Sequence, residues 1–143
     1  MADVLVVDDD DDLRVLVEAL LVRSGHAVRT AATAEDALLR SAESRADVML
    51  LDLSLPGLDG DEFLSLLDRG LGRPRSLVIM SARAAAEVAE VARMHGAHHL
   101  VKPFLPGELD RVVATALADL ARVPDGRGAA GDDPEPGRVI LVP

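Results

Sequence analysis

The chain has 143 residues, enough for one compact domain with its own core and too few for two ordinary ones. Apolar residues make up 49% of it, yet Phe63 and Phe104 are the only aromatics, so the core must be aliphatic; the absence of cysteine excludes disulfides, thiol nucleophiles and thiolate metal sites. A net charge of −10 gives no basic field for a phosphate backbone, and direct nucleic-acid binding is not expected.

No apolar run approaches the roughly 20 residues of a spanning helix, and Met1-Ala2-Asp3 lacks the basic flank of a secretion signal. A cytoplasmic protein without membrane insertion is the expectation.

Taken in chain order, the first apolar run is Val4-Leu5-Val6-Val7, read as a strand buried on both faces because it shows no alternation. It runs into five aspartates, Asp8 to Asp12, and a helical segment over 10–23. A weaker strand follows at 26–30, then a helix at 34–44. Val48-Met49-Leu50-Leu51 is the third strand and ends on Asp52; Pro56-Gly57 forces a turn, and Asp59 is placed to cap a helix over 60–69. Leu77-Val78-Ile79-Met80 is the fourth strand, followed by Ser81 and a helix at 84–95. Leu100-Val101 is the fifth, followed by Lys102-Pro103. The last helix, 106–122, is the clearest. Leu109, Val112, Val113, Ala116, Leu117 and Leu120 recur on one face, and Pro106 suits the first turn.

Beyond Val123 the composition changes. Residues 124–138 hold four glycines and three prolines among acidic residues, which is linker composition. The expected division is therefore a domain over 1–123 and a tail over 124–143. The tail ends in an apolar stretch, 139–143, which is a frayed terminus or a segment able to dock on a sheet edge or a partner.

Five strands alternating with five helices imply an α/β protein with an open parallel sheet, since parallel strands need crossovers and the helices supply them. In such sheets ligands bind beyond the carboxyl ends of the strands, where strand order reverses. The polar residues at those ends are Asp8 and Asp9, Asp52, Ser81 and Lys102.

Each has an ordinary structural reading. One aspartate of the run caps a helix, Asp52 is a turn residue, Ser81 caps the next helix, and Lys102 is solvated. Against this, two adjacent carboxylates at a strand end repel each other unless a cation lies between them, and an all-oxygen donor set suits magnesium. A carboxylate is a competent nucleophile toward phosphoryl donors and needs no general base, but the charge it gathers must be met by metal and lysine. Acid pair, acid, hydroxyl and lysine after strands one, three, four and five make a phosphoryl-transfer site if those strands are neighbours.

Over about residues 4–120 the chain resembles the receiver domain of bacterial response regulators, including the stand-alone chemotaxis type. The resemblance is carried by Leu5-Val6-Val7-Asp8-Asp9, by Asp52 with Leu55-Pro56-Gly57-Leu58-Asp59-Gly60, by Ile79-Met80-Ser81-Ala82, and by Lys102-Pro103-Phe104 with Glu108-Leu109. It implies a flavodoxin-like, doubly wound five-stranded sheet of order 2-1-3-4-5 with five helices. It implies Asp52 as phosphoacceptor, and Mg2+ held by Asp8, Asp9, Asp52 and the carbonyl of Ser54. Ser81 is implied as the switch hydroxyl, Lys102 as the partner of the phosphoryl group, and a cis bond at Lys102-Pro103.

The same resemblance implies a sensor histidine kinase or phosphotransfer protein as donor and slow self-dephosphorylation; because nothing after Val123 reads as a segment that could fold alone, a stand-alone receiver acting through a protein effector is expected, with no enzymatic activity of its own. Two departures stand out. His99 occupies the place of an inward-turning aromatic, and the segment from Gly96 to Lys102 is one residue short, which should shift the start of the fifth strand. The rival readings are a pseudo-receiver acting as a fixed interaction module and an aspartyl-phosphate hydrolase. The hydrolase is disfavoured because Ser54 stands where a general acid would be needed.

Overall fold

The structure, a computed structural model, describes residues 2–55 and 60–122, and of residues 60, 61, 121 and 122 it describes the backbone. The Pro56-Gly57 turn, the Asp59 cap and the tail over 124–143 with its apolar end lie outside the described residues. Five strands and five helices alternate: β1 Asp3–Val7, α1 Asp11–Arg23, β2 Ala27–Ala31, α2 Ala34–Glu43, β3 Val48–Asp52, α3 Gly60–Asp68, β4 Ser76–Ser81, α4 Ala85–Met94, β5 His98–Val101 and α5 Pro106–Arg122. All pairings are parallel, in the order β2-β1-β3-β4-β5.

Strand periodicity divides the core in two. Val6 pairs with Leu50 and Leu50 with Val78, so side chains of equal parity share a face across the three central strands. Val4, Val6, Val48, Leu50, Val78 and Met80 pack with Val17 and Leu21 of α1 and with Leu109, Val113 and Ala116 of α5. Leu5, Val7, Met49, Leu51, Leu77 and Ile79 pack on the other side with Ala34 and Ala37 of α2, Phe63, Leu64 and Leu67 of α3, and Val88 and Ala92 of α4. The continuous apolar runs in the sequence thus belong to strands covered on both faces.

Helix ends follow local chemistry. Asp10 caps α1 by accepting from Leu13 N at 3.1 Å, and Thr33 caps α2 by accepting from Asp36 N at 3.1 Å. Gly25 and Gly96 have positive φ just past the ends of α1 and α4, a left-handed backbone that glycine adopts without a Cβ clash.

Strand boundaries depart from expectation mainly at β5. It begins at His98, where Val78 pairs with His98 and Ile79 with His99. Two polar residues hide the first half of this strand from a search for apolar runs, because ladder pairing requires only the backbone.

Candidate functional site

Strand order determines which polar ends meet. From β1 the chain steps outward to β2, then crosses back to β3, so the order reverses between β1 and β3. Val7 pairs with Leu51 there, and one step further along the same register brings Asp8 beside Asp52. β4 continues the row on the other side, pairing Asp52 with Met80, and the backbone N–H of Lys102 donates to the carbonyl of Ser81 at 2.8 Å.

Asp8 and Ser81 are wholly buried, and Asp52 is 4% exposed, whereas Asp9 and Ser54 are exposed. A carboxylate oxygen from each of Asp8, Asp9 and Asp52 can be chosen so that all three lie within 4.8 Å of one another. Two ionised carboxylates at that separation repel by about 3.5 kcal/mol at an effective dielectric constant of about 20.

Among the described residues, the cation bonded to these carboxylates is Lys102, whose Nζ donates to Asp8 Oδ2 at 2.8 Å and to Asp52 Oδ2 at 3.1 Å. One ammonium against three carboxylates leaves the cluster short of positive charge. This hard, oxygen-only, electron-rich set fits a magnesium ion.

The titration behaviour reflects that shortage. Burial pushes the Asp8 carboxyl above its ordinary value; hydrogen bonds from Lys102 and from the Asp10 N–H offset this only in part, and the charge of Asp52 adds to the upward push. Burial alone would lower Lys102. The hydrogen bond to Asp8 and the charge of Asp52 outweigh it, and the ammonium is held above its ordinary value.

The surrounding turns are tied by side chain to backbone bonds. Asp8 Oδ1 accepts from Asp10 N at 2.9 Å, Asp52 Oδ1 from Ser54 N at 3.0 Å, and Ser81 Oγ from Arg83 N at 3.1 Å. Ser81 is therefore not the cap of α4, whose N-cap is Ala84 with no side-chain bond. The Lys102-Pro103 peptide is cis, as the resemblance implied.

His99 is exposed, while His98 approaches Asp119 of α5 through Nε2 at 2.8 Å, so the adjacent histidines engage different surroundings and do not form a metal pair. One neighbour of the site was not singled out from the sequence. Arg14 donates to the carbonyl of Asp8 at 2.7 Å and pairs with Asp11 at 2.5 Å. The available signal is a basic residue one turn into a helix that begins with a run of aspartates.

A doubly wound sheet with three carboxylates, a lysine and a buried hydroxyl gathered beyond its strand ends defines a phosphoryl-accepting signalling domain. The response regulator receiver domain model matches residues 4–114, and the chain belongs to that family, whose members accept phosphoryl on aspartate and bind Mg2+ at an acidic pocket in two-component signalling.

The transcriptional regulatory protein AfsQ1 of Streptomyces coelicolor is 36% identical over 118 residues, covering 82% of this chain and 52% of that protein. A protein-glutamate methylesterase/protein-glutamine glutaminase of Myxococcus xanthus is 41% identical over 133 residues, covering 85% of this chain and 38% of that one. The chain thus spans about half or less of these two relatives. Among solved structures, the chemotaxis response regulator CheY4 of Vibrio cholerae superposes with a TM-score of 0.73 at 30% identity, covering 81% of this chain and 98% of that one.

No helix among the described residues is long and apolar enough to cross a membrane.

Proposed function

We propose that Asp52 accepts a phosphoryl group from a phosphohistidine on a sensor histidine kinase or phosphotransfer protein, and that the phosphorylated domain signals by altered affinity for a protein partner. The observation that carries this reading is Lys102 Nζ bonded at once to Asp8 and Asp52 across three strands.

In the transfer an Asp52 carboxylate oxygen attacks phosphorus, the bond from phosphorus to the histidine nitrogen breaks, and the imidazole leaves with the electron pair. Lys102 exchanges its contact with Asp52 for one with the incoming phosphoryl oxygen, and keeps Asp8 as its second partner. Asp8, Asp9, Asp52 and the carbonyl of Ser54 would hold Mg2+, which supplies further neutralisation at the phosphoryl oxygens.

The Ser81 hydroxyl, which accepts from Arg83 N, donates its own proton to a phosphoryl oxygen and draws the start of the β4–α4 connection with it. His99, exposed in the present state, repacks as that connection moves. The result is a population shift between two surfaces rather than a new fold.

The unit responsible is the domain over 1–123, with 124–143 as a linker-like tail. We assign it no hydrolytic or transfer activity on other substrates, no direct nucleic-acid contact and a cytoplasmic setting. The charge of −10 supports the exclusion of nucleic acid.

The test is the intact mass of the protein after incubation with acetyl phosphate, with and without Mg2+, beside Asp52→Asn. One Mg2+-dependent phosphoryl group, absent from the variant, is expected. No adduct, even with a histidine kinase as donor and rapid quenching, would leave a fixed interaction module as the better reading.

A further inference from the structure

The peptide bond joining Asp8 to Asp9 fixes how the two carboxylates stand relative to each other, and its carbonyl is held from an unexpected quarter. β1 ends at Val7; the Asp8 N–H still reaches the carbonyl of Ala31 at 3.1 Å, while the Asp8 carbonyl accepts Arg14 NH1 at 2.7 Å. A buried carbonyl must be paired, so this contact is a structural requirement of the turn.

The Arg14 side chain is 18% exposed, and its other partner, Asp11, is 82% exposed. The outer pair is therefore screened and weak, and the bond to Asp8 is the one with consequences. Two further bonds tie the same turn: Asp8 Oδ1 to Asp10 N, and Asp10 Oδ1 to Leu13 N. Among the described residues, the guanidinium is the side chain that bonds the carbonyl of the peptide between the acid pair.

We propose that Arg14 is a positioning residue that holds the Asp8–Asp9 peptide so that the acid pair is preset for a divalent cation. The sign of its effect separates this from simple electrostatics. A guanidinium close to a cation site repels the cation, so on charge alone its removal tightens binding. A residue that presets the ligands does the reverse.

The inference rests on the acid cluster being a divalent-cation site. The experiment is Mg2+ titration of the full chain by calorimetry, without phosphoryl donor, for wild type, Arg14→Met and Arg14→Lys, with the thermal unfolding midpoint of each Mg2+-free protein. Met keeps the apolar stem and loses the donors. Lys keeps the charge and one donor able to reach the Asp8 carbonyl.

R14M is expected to bind Mg2+ about tenfold more weakly, the low end of what contacts to metal-ligating residues supply, and R14K to recover most of that loss. Should R14M not fold, R14Q, neutral and shorter than the span to the carbonyl, gives the same reading. Binding by the folded neutral variant that equals or exceeds the wild type overturns the proposal, as does an R14K as weak as R14M. A wild type that takes up no Mg2+ defeats the cation site and this role together. A wild type that binds, with a neutral variant that binds equally, defeats the role of Arg14 alone.

Discussion

Lys102 is the one lysine in the chain, and with neither tyrosine nor cysteine present its titration is isolated at alkaline pH. Its folded-state value is raised because its bonds and the nearby acids outweigh burial. A cation raised in this way stabilises the fold fully below its unfolded value, about 10.4, and that contribution is lost as pH climbs through the higher folded value. Asp8 is also raised, by burial first, and an acid so shifted has the opposite effect: its ionisation costs stability, and the fold gains as pH falls through the folded value toward that of an ordinary carboxyl.

Lys102→Met is therefore expected to lose about 2 kcal/mol at pH 7, somewhat below the usual cost of breaking a fully buried pair. The deficit should narrow above pH of about 10.4, where the wild type begins to lose the same interaction. Urea unfolding between neutral and alkaline pH measures both; equal alkaline slopes for the two proteins would show that the pair does not stabilise the fold.

At the scale of elements, the helices are set by caps and by apolar faces of unequal origin. Thr33 holds the first turn of α2 through Asp36 N, outside the acid cluster. Thr33→Ala should lower stability by about 1 kcal/mol, read as a reduced urea midpoint, while the phosphoryl uptake of Asp52 stays at the wild-type level. A parallel loss of uptake would mean that α2 and the site are coupled.

β5 teaches the complementary lesson. Its pairing with β4 starts at His98 and His99, and that pairing brings Lys102 N onto the Ser81 carbonyl, so a strand whose first half is polar positions the lysine of the site.

For the molecule as a whole, stability rests on two aliphatic cores separated by the sheet. Phe63 is the largest fully buried side chain and belongs to the layer under α2, α3 and α4. Replacing it by alanine removes about 3–5 kcal/mol, a large part of the roughly 5–15 kcal/mol that holds a domain folded. Phe63→Ala should unfold at a much lower urea concentration, followed by circular dichroism since there is no tryptophan or tyrosine to report. Phe63→Leu, which keeps most of the volume, should lose much less. A similar loss for both would mean that the ring makes a specific contact rather than filling space.

Sequence by itself determined the alternation of five strands and five helices, because doubly covered strands need unbroken apolar runs and covering helices need a recurrent apolar face. It also marked Asp8, Asp9, Asp52, Ser81 and Lys102, since they follow the apolar runs at the carboxyl ends of the strands, where open parallel sheets bind their ligands. What only the tertiary structure decided is everything that depends on partners remote in the chain. Lys102 meets Asp8 across 94 positions and Asp52 across 50, Ser81 turns onto Arg83 N instead of capping α4, and Arg14 grips the Asp8 carbonyl. Periodicity records which face a residue occupies, whereas a hydrogen bond depends on distances set by strand order and register, and those arise from packing the whole sheet.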